Sequence, residues 1–251
     1  MRMCTVSPSR RSNFSWMFML CLVMGIATAA AVMAQDPSVT YHYVKIPTSK
    51  APSGSIQENL ISTVPVGIFT AHNKLATPFK IASSPKKCGI DGKGACNFYD
   101  AFGADGNGQS ITIDVSIAHA SHVYTLMNAY SPTNGQQLAT IEFFGSDGAT
   151  DIFPLVAGRD IRDYYHGHYA NGLTNGVPGV KAVNAFTCVD PKNCLGSGGT
   201  GNVKTGLAGT YLLDEQQFSL SSLFQTQNLV KIVITDTYDG STPILLAITA
   251  D

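Results

Sequence analysis

Between Ile111 and Ala118 the chain alternates strictly: Ile111, Ile113, Val115 and Ile117 are separated by Thr112, Asp114, Ser116 and Ala118. An apolar residue at every second position turns one face of a strand to a core and the other to water, a period no helix satisfies. Val230, Ile232 and Ile234 repeat the pattern. Further strand-like runs are expected at Tyr41 to Ile46, Val66 to Ala71, Pro78 to Ala82, His122 to Tyr130, Ala139 to Phe144, Ile152 to Val156, Leu229 to Thr235 and Pro243 to Thr249. Asp105-Gly106, Asn107-Gly108, Asn134-Gly135, Asp147-Gly148 and Asp239-Gly240 punctuate the runs, and such dipeptides supply the positive φ that tight turns need. The best helical stretch, Asp214 to Asn228, is good for a turn or two. The expected fold is therefore all-β: a two-sheet antiparallel β-sandwich of jelly-roll type with long Gly-rich loops. No repeat of fixed period points to a propeller or solenoid. Asn171 to Lys204, with seven Gly and the run LGSGGTGN, reads as a long loop, and loops of that length are usually functional or flexible.

Residues 1–34 read as a secretory signal peptide. Arg2, Arg10 and Arg11 precede an apolar run from Phe14 to Val32, and Val32-Met33-Ala34 favours cleavage before Gln35. An uncleaved anchor is the alternative, since ~20 apolar residues span a bilayer. Residues 35–58 are expected to form a first strand and linker, and 59–251 a single β-sandwich domain. Loss of three arginines and no acids takes the formal charge from −1 to −4, so no basic excess invites nucleic acid. The expected location is secreted, extracellular or in the cell envelope, with no membrane contact after cleavage.

Four cysteines follow the leader, Cys88, Cys96, Cys188 and Cys194. Three pairings exist, and the local one, Cys88 with Cys96 and Cys188 with Cys194, is the simplest because each pair brackets a turn. An oxidising compartment favours disulfides, the spacings do not match zinc sites, and loops this short contribute about 2 to 3 kcal/mol each.

The densest polar cluster runs from Arg159 to Tyr169, with Asp160, Arg162, Asp163, Tyr164, Tyr165, His166 and His168 between them. In an extended chain Tyr165, Gly167 and Tyr169 share one face and Tyr164, His166 and His168 the other. Two imidazoles at that spacing can hold a metal, with Asp160 or Asp163 as an oxygen ligand. A Tyr and His pair can also serve as base and acid in β-elimination of an acidic polysaccharide. The plainer reading is an ion-paired corner of Asp160, Arg162 and Asp163 with aromatics packed over the sandwich edge. His119 and His122 sit at i and i+3, opposite faces of a strand. Asp91, Asp105, Asn107, Asp147 and Asp151 complete no calcium loop. There is no G-x-S-x-G, H-E-x-x-H or phosphate loop. Ser83-to-Lys86, Ser84-to-Lys87 and Lys204-Thr205-Gly206 echo penicillin-recognising enzymes without an S-D-N between them, and Gly196 to Gly201 satisfies G-x-G-x-x-G without a preceding strand.

Val123-Tyr124-Thr125-Leu126-Met127-Asn128, Ala139 to Ala149 with its Gly145-Ser146-Asp147-Gly148 hairpin, and Leu155 to Tyr164 with its Ile161-Arg162-Asp163 corner resemble uncharacterised secreted bacterial β-sandwich domains. Leu229 to Asp236 and Pro243 to Thr249 look like the last strands of galactose-binding-like modules. The resemblance implies a jelly-roll that accompanies carbohydrate binding or cell-surface attachment. The chain departs from well-understood sugar-binding modules in keeping no tryptophan after Trp16. The reading that follows is a non-enzymatic secreted protein that contacts a glycan or cell-envelope component, without metal or cofactor. Tyr165 and Tyr169 would stack, and Arg162, Asp163, His166 and His168 would hydrogen-bond to hydroxyls. The alternatives are a jelly-roll polysaccharide lyase and a structural or adhesive envelope protein whose Tyr41 to Ile46 edge augments a neighbour's sheet.

Overall fold

The structure is a computed structural model that describes residues 39–46, 49–50, 67–81, 95–96, 109–165, 169–188, 211–237 and 240–251. The leader, Cys88, Cys194, His166, His168, Asp91, Asp105, Asn107 and the stretches 82–87 and 196–206 lie outside the described residues, as do the side chains of Cys96 and Cys188. The strands are β1 (His42–Val44), β2 (Ser49–Lys50), β3 (Gly67–Thr70), β4 (Pro78–Ile81), β5 (Ala95–Cys96), β6 (Ser110–Ala118), β7 (His122–Tyr130), β8 (Gln137–Gly145), β9 (Thr150–Val156), β10 (Val180–Cys188), β11 (Tyr211–Ser219), β12 (Asn228–Asp236) and β13 (Thr242–Ala250). The 3-10 turn Ser222–Thr226 precedes β12. Among the described residues no helix is long and apolar enough to cross a membrane.

The strands form a five-stranded sheet, β1-β13-β7-β11-β10, a four-stranded sheet, β6-β12-β8-β9, and two small pairs, β2-β5 and β3-β4. Among the described strands every ladder is antiparallel. Counting β1, β6 to β9 and β11 to β13 as eight successive strands, one sheet holds the first, eighth, third and sixth. The other holds the second, seventh, fourth and fifth. That interleaving is the jelly-roll, with β10 added at one edge.

One core fills the space between the two large sheets. Ile111, Ile113 and Ile117 on β6, Ile141 and Phe143 on β8, and Ile232 and Ile234 on β12 meet Val123, Met127, Phe218, Leu245 and Ile248 of the five-stranded sheet. A second core lies on the opposite face of that sheet, where Phe69 of β3 and Phe79 and Ile81 of β4 cover Tyr124, Leu126, Leu213, Ile244 and Leu246. β7 and β13 are thus buried on both faces, which explains the near-continuous apolar run Pro243-Ile-Leu-Leu-Ala-Ile where a half-buried strand would alternate. An irregularity between Leu245 and Ala247 lets Leu246 and Ala247 both face the hairpin while Leu245 and Ile248 face the main core.

Two expectations are corrected. The glycine-rich stretch from Asn171 to Lys204 contains β10, because Ala182 is held on one side by β11 and on the other by the Asn175 carboxamide. Tertiary partners there outweigh a composition that resembles loop. The stretch from Asp214 to Asn228, expected to hold no more than a turn or two of helix, holds the 3-10 turn Ser222–Thr226 between the end of β11 and the start of β12. Its Asp-Glu-Gln-Gln run lies on β11, where three of the four are buried with partners elsewhere in the chain. The first strand is shorter than Tyr41 to Ile46, pairing with β13 only over His42–Val44.

Phe143 is fully buried, its ring 5.9 Å from Phe153 and 5.5 Å from Phe218 across the sandwich. Phe143→Ala should cost about 3–5 kcal/mol in denaturant unfolding; a loss under about 1 kcal/mol would contradict a closed core there.

Candidate functional site

The predicted corner begins where β9 ends. Gly158 turns the chain with φ +78°, and a Cβ there would collide with the Asn134 carboxamide, so the position demands glycine. Asp160, fully buried, accepts from Arg159 Nε at 2.9 Å and from the Val156 amide at 3.3 Å. Residues 161–165 form isolated bridges rather than a strand: Ala157 pairs with Ile161, and Ala129 of β7 pairs with Asp163. The Ala129 amide donates to Arg162 O at 2.9 Å, and the Tyr164 amide donates to Ala129 O at 3.0 Å.

Arg162 does not pair with Asp160 or Asp163. Its fork closes on Asp214 of β11, with Nε 2.8 Å from Oδ2 and Nη2 2.7 Å from Oδ1. The guanidinium is 14% exposed and the carboxylate is fully buried. Asp214 also accepts from Asn128 Nδ2 at 2.7 Å and Asn184 Nδ2 at 3.2 Å, while its amide donates to Asn128 Oδ1 at 3.0 Å. Four donors on one carboxylate offset the cost of taking a charge out of water. Asp163 is buried as well and accepts from the Tyr165 amide at 2.7 Å. Both residues shape the corner from within the fold.

Docking that corner on the end of β7 assembles tyrosines. Tyr130 stands 6.3 Å from Tyr164, rings inclined by 31°, and Tyr164 stands 6.4 Å from Tyr165. Tyr164 is buried and Tyr165 half-buried, whereas Tyr130 is 39% and Tyr169 56% exposed. Asn171 Nδ2 donates to Tyr169 O at 2.9 Å. The sequence singled out Tyr165 and Tyr169; Tyr130 joins through strand pairing alone.

A second cluster lies at the other end of β7. Asp251 Oδ1 accepts from the His122 amide at 2.8 Å and sits 3.1 Å from His122 Nδ1. Tyr124 Oη donates to Oδ2 at 2.9 Å. With the carboxylate as acceptor, Nδ1 carries a proton. The His122 and Tyr124 rings are 5.9 Å apart, and Tyr41 lies 6.2 Å beyond Tyr124. Burial pushes the Asp251 carboxyl up, but hydrogen bonds from His122 and Tyr124 and the His122 charge outweigh it and hold the group below its ordinary value. The same burial and the same carboxylate push the Tyr124 phenol well above its ordinary range. His119 is not brought to His122: its Nδ1 lies 2.7 Å from Gln225 O. Among the described residues no three His, Cys, Asp or Glu side chains gather as a metal site.

The third polar group is Glu215, fully buried beneath the loop between β3 and β4. It accepts from Thr77 Oγ1 at 2.5 Å and Asn73 Nδ2 at 2.6 Å. Burial pushes its carboxyl above the ordinary carboxylate range, opposed by those two donors and by Lys181. Sequence reading passed over both this carboxylate and the His122, Tyr124 and Asp251 cluster, whose members are scattered along the chain. No protein family model, no curated protein and no solved structure matches the chain.

Arg162→Met should cost about 3–5 kcal/mol, because Asp214 keeps a buried charge without its cation. Arg162→Lys should recover only part, lacking the planar fork. An unfolding midpoint unchanged in Arg162→Met would contradict this account. Because the folded Asp251 carboxyl is lowered, its stabilisation is complete above the ordinary carboxylate range and lost as pH falls through the folded value. Asp251→Asn should therefore lose less stability than the parent between about pH 5 and pH 3, as thermal melts at each pH will show.

Proposed function

We propose that the protein is a non-enzymatic, secreted carbohydrate-binding sandwich whose contact surface is the tyrosine corner at the end of β7. The observation that carries this reading is the grouping of Tyr130, Tyr164 and Tyr165, with the exposed Tyr169 next in the chain to Ala170, whose carbonyl accepts from the Asp163 amide of the same corner. Sugar rings present C–H faces that pack on aromatic planes while their hydroxyls take up polar groups at the rim. A tyrosine offers a large, stiff apolar face with a hydroxyl at its edge. Buried Arg162 and Asp163 support that surface: they hold the corner rigid so that little order is lost on binding. The likeness of the quoted segments to galactose-binding-like modules agrees with it at the level of fold, which alone does not establish a task.

A second reading, elimination on an acidic polysaccharide, is favoured by the neighbouring His122 and Tyr124. An imidazole oriented by a carboxylate is a competent base. Against it stands the phenol of Tyr124, which is buried and donates its hydrogen bond to Asp251, a poor arrangement for a proton donor to a leaving group.

Affinity electrophoresis across neutral and acidic glycans should show retardation. Tyr130→Ala and Tyr169→Ala should each weaken it about fivefold, the worth of roughly one aromatic contact. His122→Ala should leave it unchanged. Unaltered mobility on every glycan would overturn the binding reading. Rising ultraviolet absorbance from unsaturated ends, abolished in His122→Ala, would replace it with the lyase.

A further inference from the structure

The two large sheets have four edges, and three of them are closed to further pairing. β1 is only three residues long. β9 carries Pro154 in its interior, which removes a backbone donor from the outward row. On β10 the Asn175 carboxamide both donates to Ala182 O and accepts from its amide, and the His72 amide donates to Ala185 O at 2.7 Å. These are the devices by which sheet proteins prevent edge-to-edge association.

β6 has none of them over its first five residues. Ser110–Asp114 pairs with β12 in unbroken register, from Ser110 opposite Thr235 to Asp114 opposite Lys231, and the irregularity in that ladder comes only beyond Asp114. The segment contains no Pro, Gly or Lys. Among the described residues its backbone bonds are those to β12. Its inward side chains, Ile111 and Ile113, are buried in the main core, and its outward ones, Ser110, Thr112 and Asp114, are exposed and small.

We infer that Ser110–Asp114 of β6 is an assembly edge at which a second copy of this chain pairs antiparallel, joining two four-stranded sheets into one of eight. The segment is self-complementary about Thr112. In that register Thr112 meets Thr112 of the other copy, Ile111 meets Ile113 on the core side, and Ser110 meets Asp114 on the solvent side. No acid faces an acid, and the apolar row continues from one core to the next. A two-fold axis through Thr112 gives a closed, isologous dimer in which the exposed backbone row is used up, so growth stops at two.

The register is testable by charge at one exposed position. Sedimentation equilibrium on the purified protein should give twice the chain mass at tens of micromolar. Thr112→Lys and Thr112→Asp each place like charges opposite one another and should each sediment at the single-chain mass. Their equimolar mixture should return to twice that mass. Backbone amide exchange keeps the test independent of folding defects: the β12 amides should stay protected in both variants, while the outward β6 amides, slow in the parent, become fast. A parent that is single at these concentrations, a dimer that survives both substitutions, or a mixture that does not reassociate would each overturn the inference.

Discussion

The pairing of β7 with β13 is the interaction on which the remaining structure leans. Both strands are covered on both faces, by the four-stranded sheet on one side and by the β3-β4 hairpin on the other. Two adjacent strands with no wet face must satisfy their backbone groups entirely through their neighbours, so β1 and β11 are obligatory flanks. The hairpin in turn is needed to cover Tyr124, Leu126 and Ile244. It is anchored at its own margin, where Thr249 Oγ1 donates to Pro78 O at 2.8 Å, so the hairpin and β13 share one hydrogen-bonded seam.

Next to this apolar centre, β11 carries Asp214, Glu215 and Gln216 in succession, all fully buried. Each is satisfied by partners distant in the chain: Asp214 by Arg162, Asn128 and Asn184; Glu215 by Asn73 and Thr77; Gln216 by Thr125 and Met127 O. A one-residue slip of β11 would strand all three, at a cost of several kcal/mol for the charges alone. The network therefore selects register. It also ties the corner from Gly158 to Tyr165 to the sheet, so the position of the tyrosine surface is set by a buried ion pair.

The tyrosine corner and the β6 edge belong to different sheets, with Tyr130 on β7 and Thr112 on β6. The proposed pairing through β6 would leave the corner of each copy unobstructed by the joined strands. Under the two proposals together, two weak glycan contacts held on one dimer would gain avidity on a multivalent surface without any new contact.

Much of this architecture was legible along the chain, and the illegible parts share a cause. Strands with one wet face, such as β6 and β12, announce themselves by alternation, and the Gly135 and Gly148 turns by their dipeptides. β10 and β11 did not, because a glycine-rich approach and an Asp-Glu-Gln-Gln run hide strands whose stability comes from distant partners. The site follows the same division. The residue types gathered between Arg159 and Tyr169 marked a corner, but Arg162 finds its acid 52 positions away, and Tyr130 enters only because Ala129 bridges Asp163. Local periodicity and turn chemistry, which depend on neighbours a few bonds apart, determined the β class, the sandwich and the approximate strand bounds. Which carboxylate meets which cation, which tyrosines share a surface and which edge stays open were decided by long-range pairing, since those contacts join residues that nothing in the linear order relates.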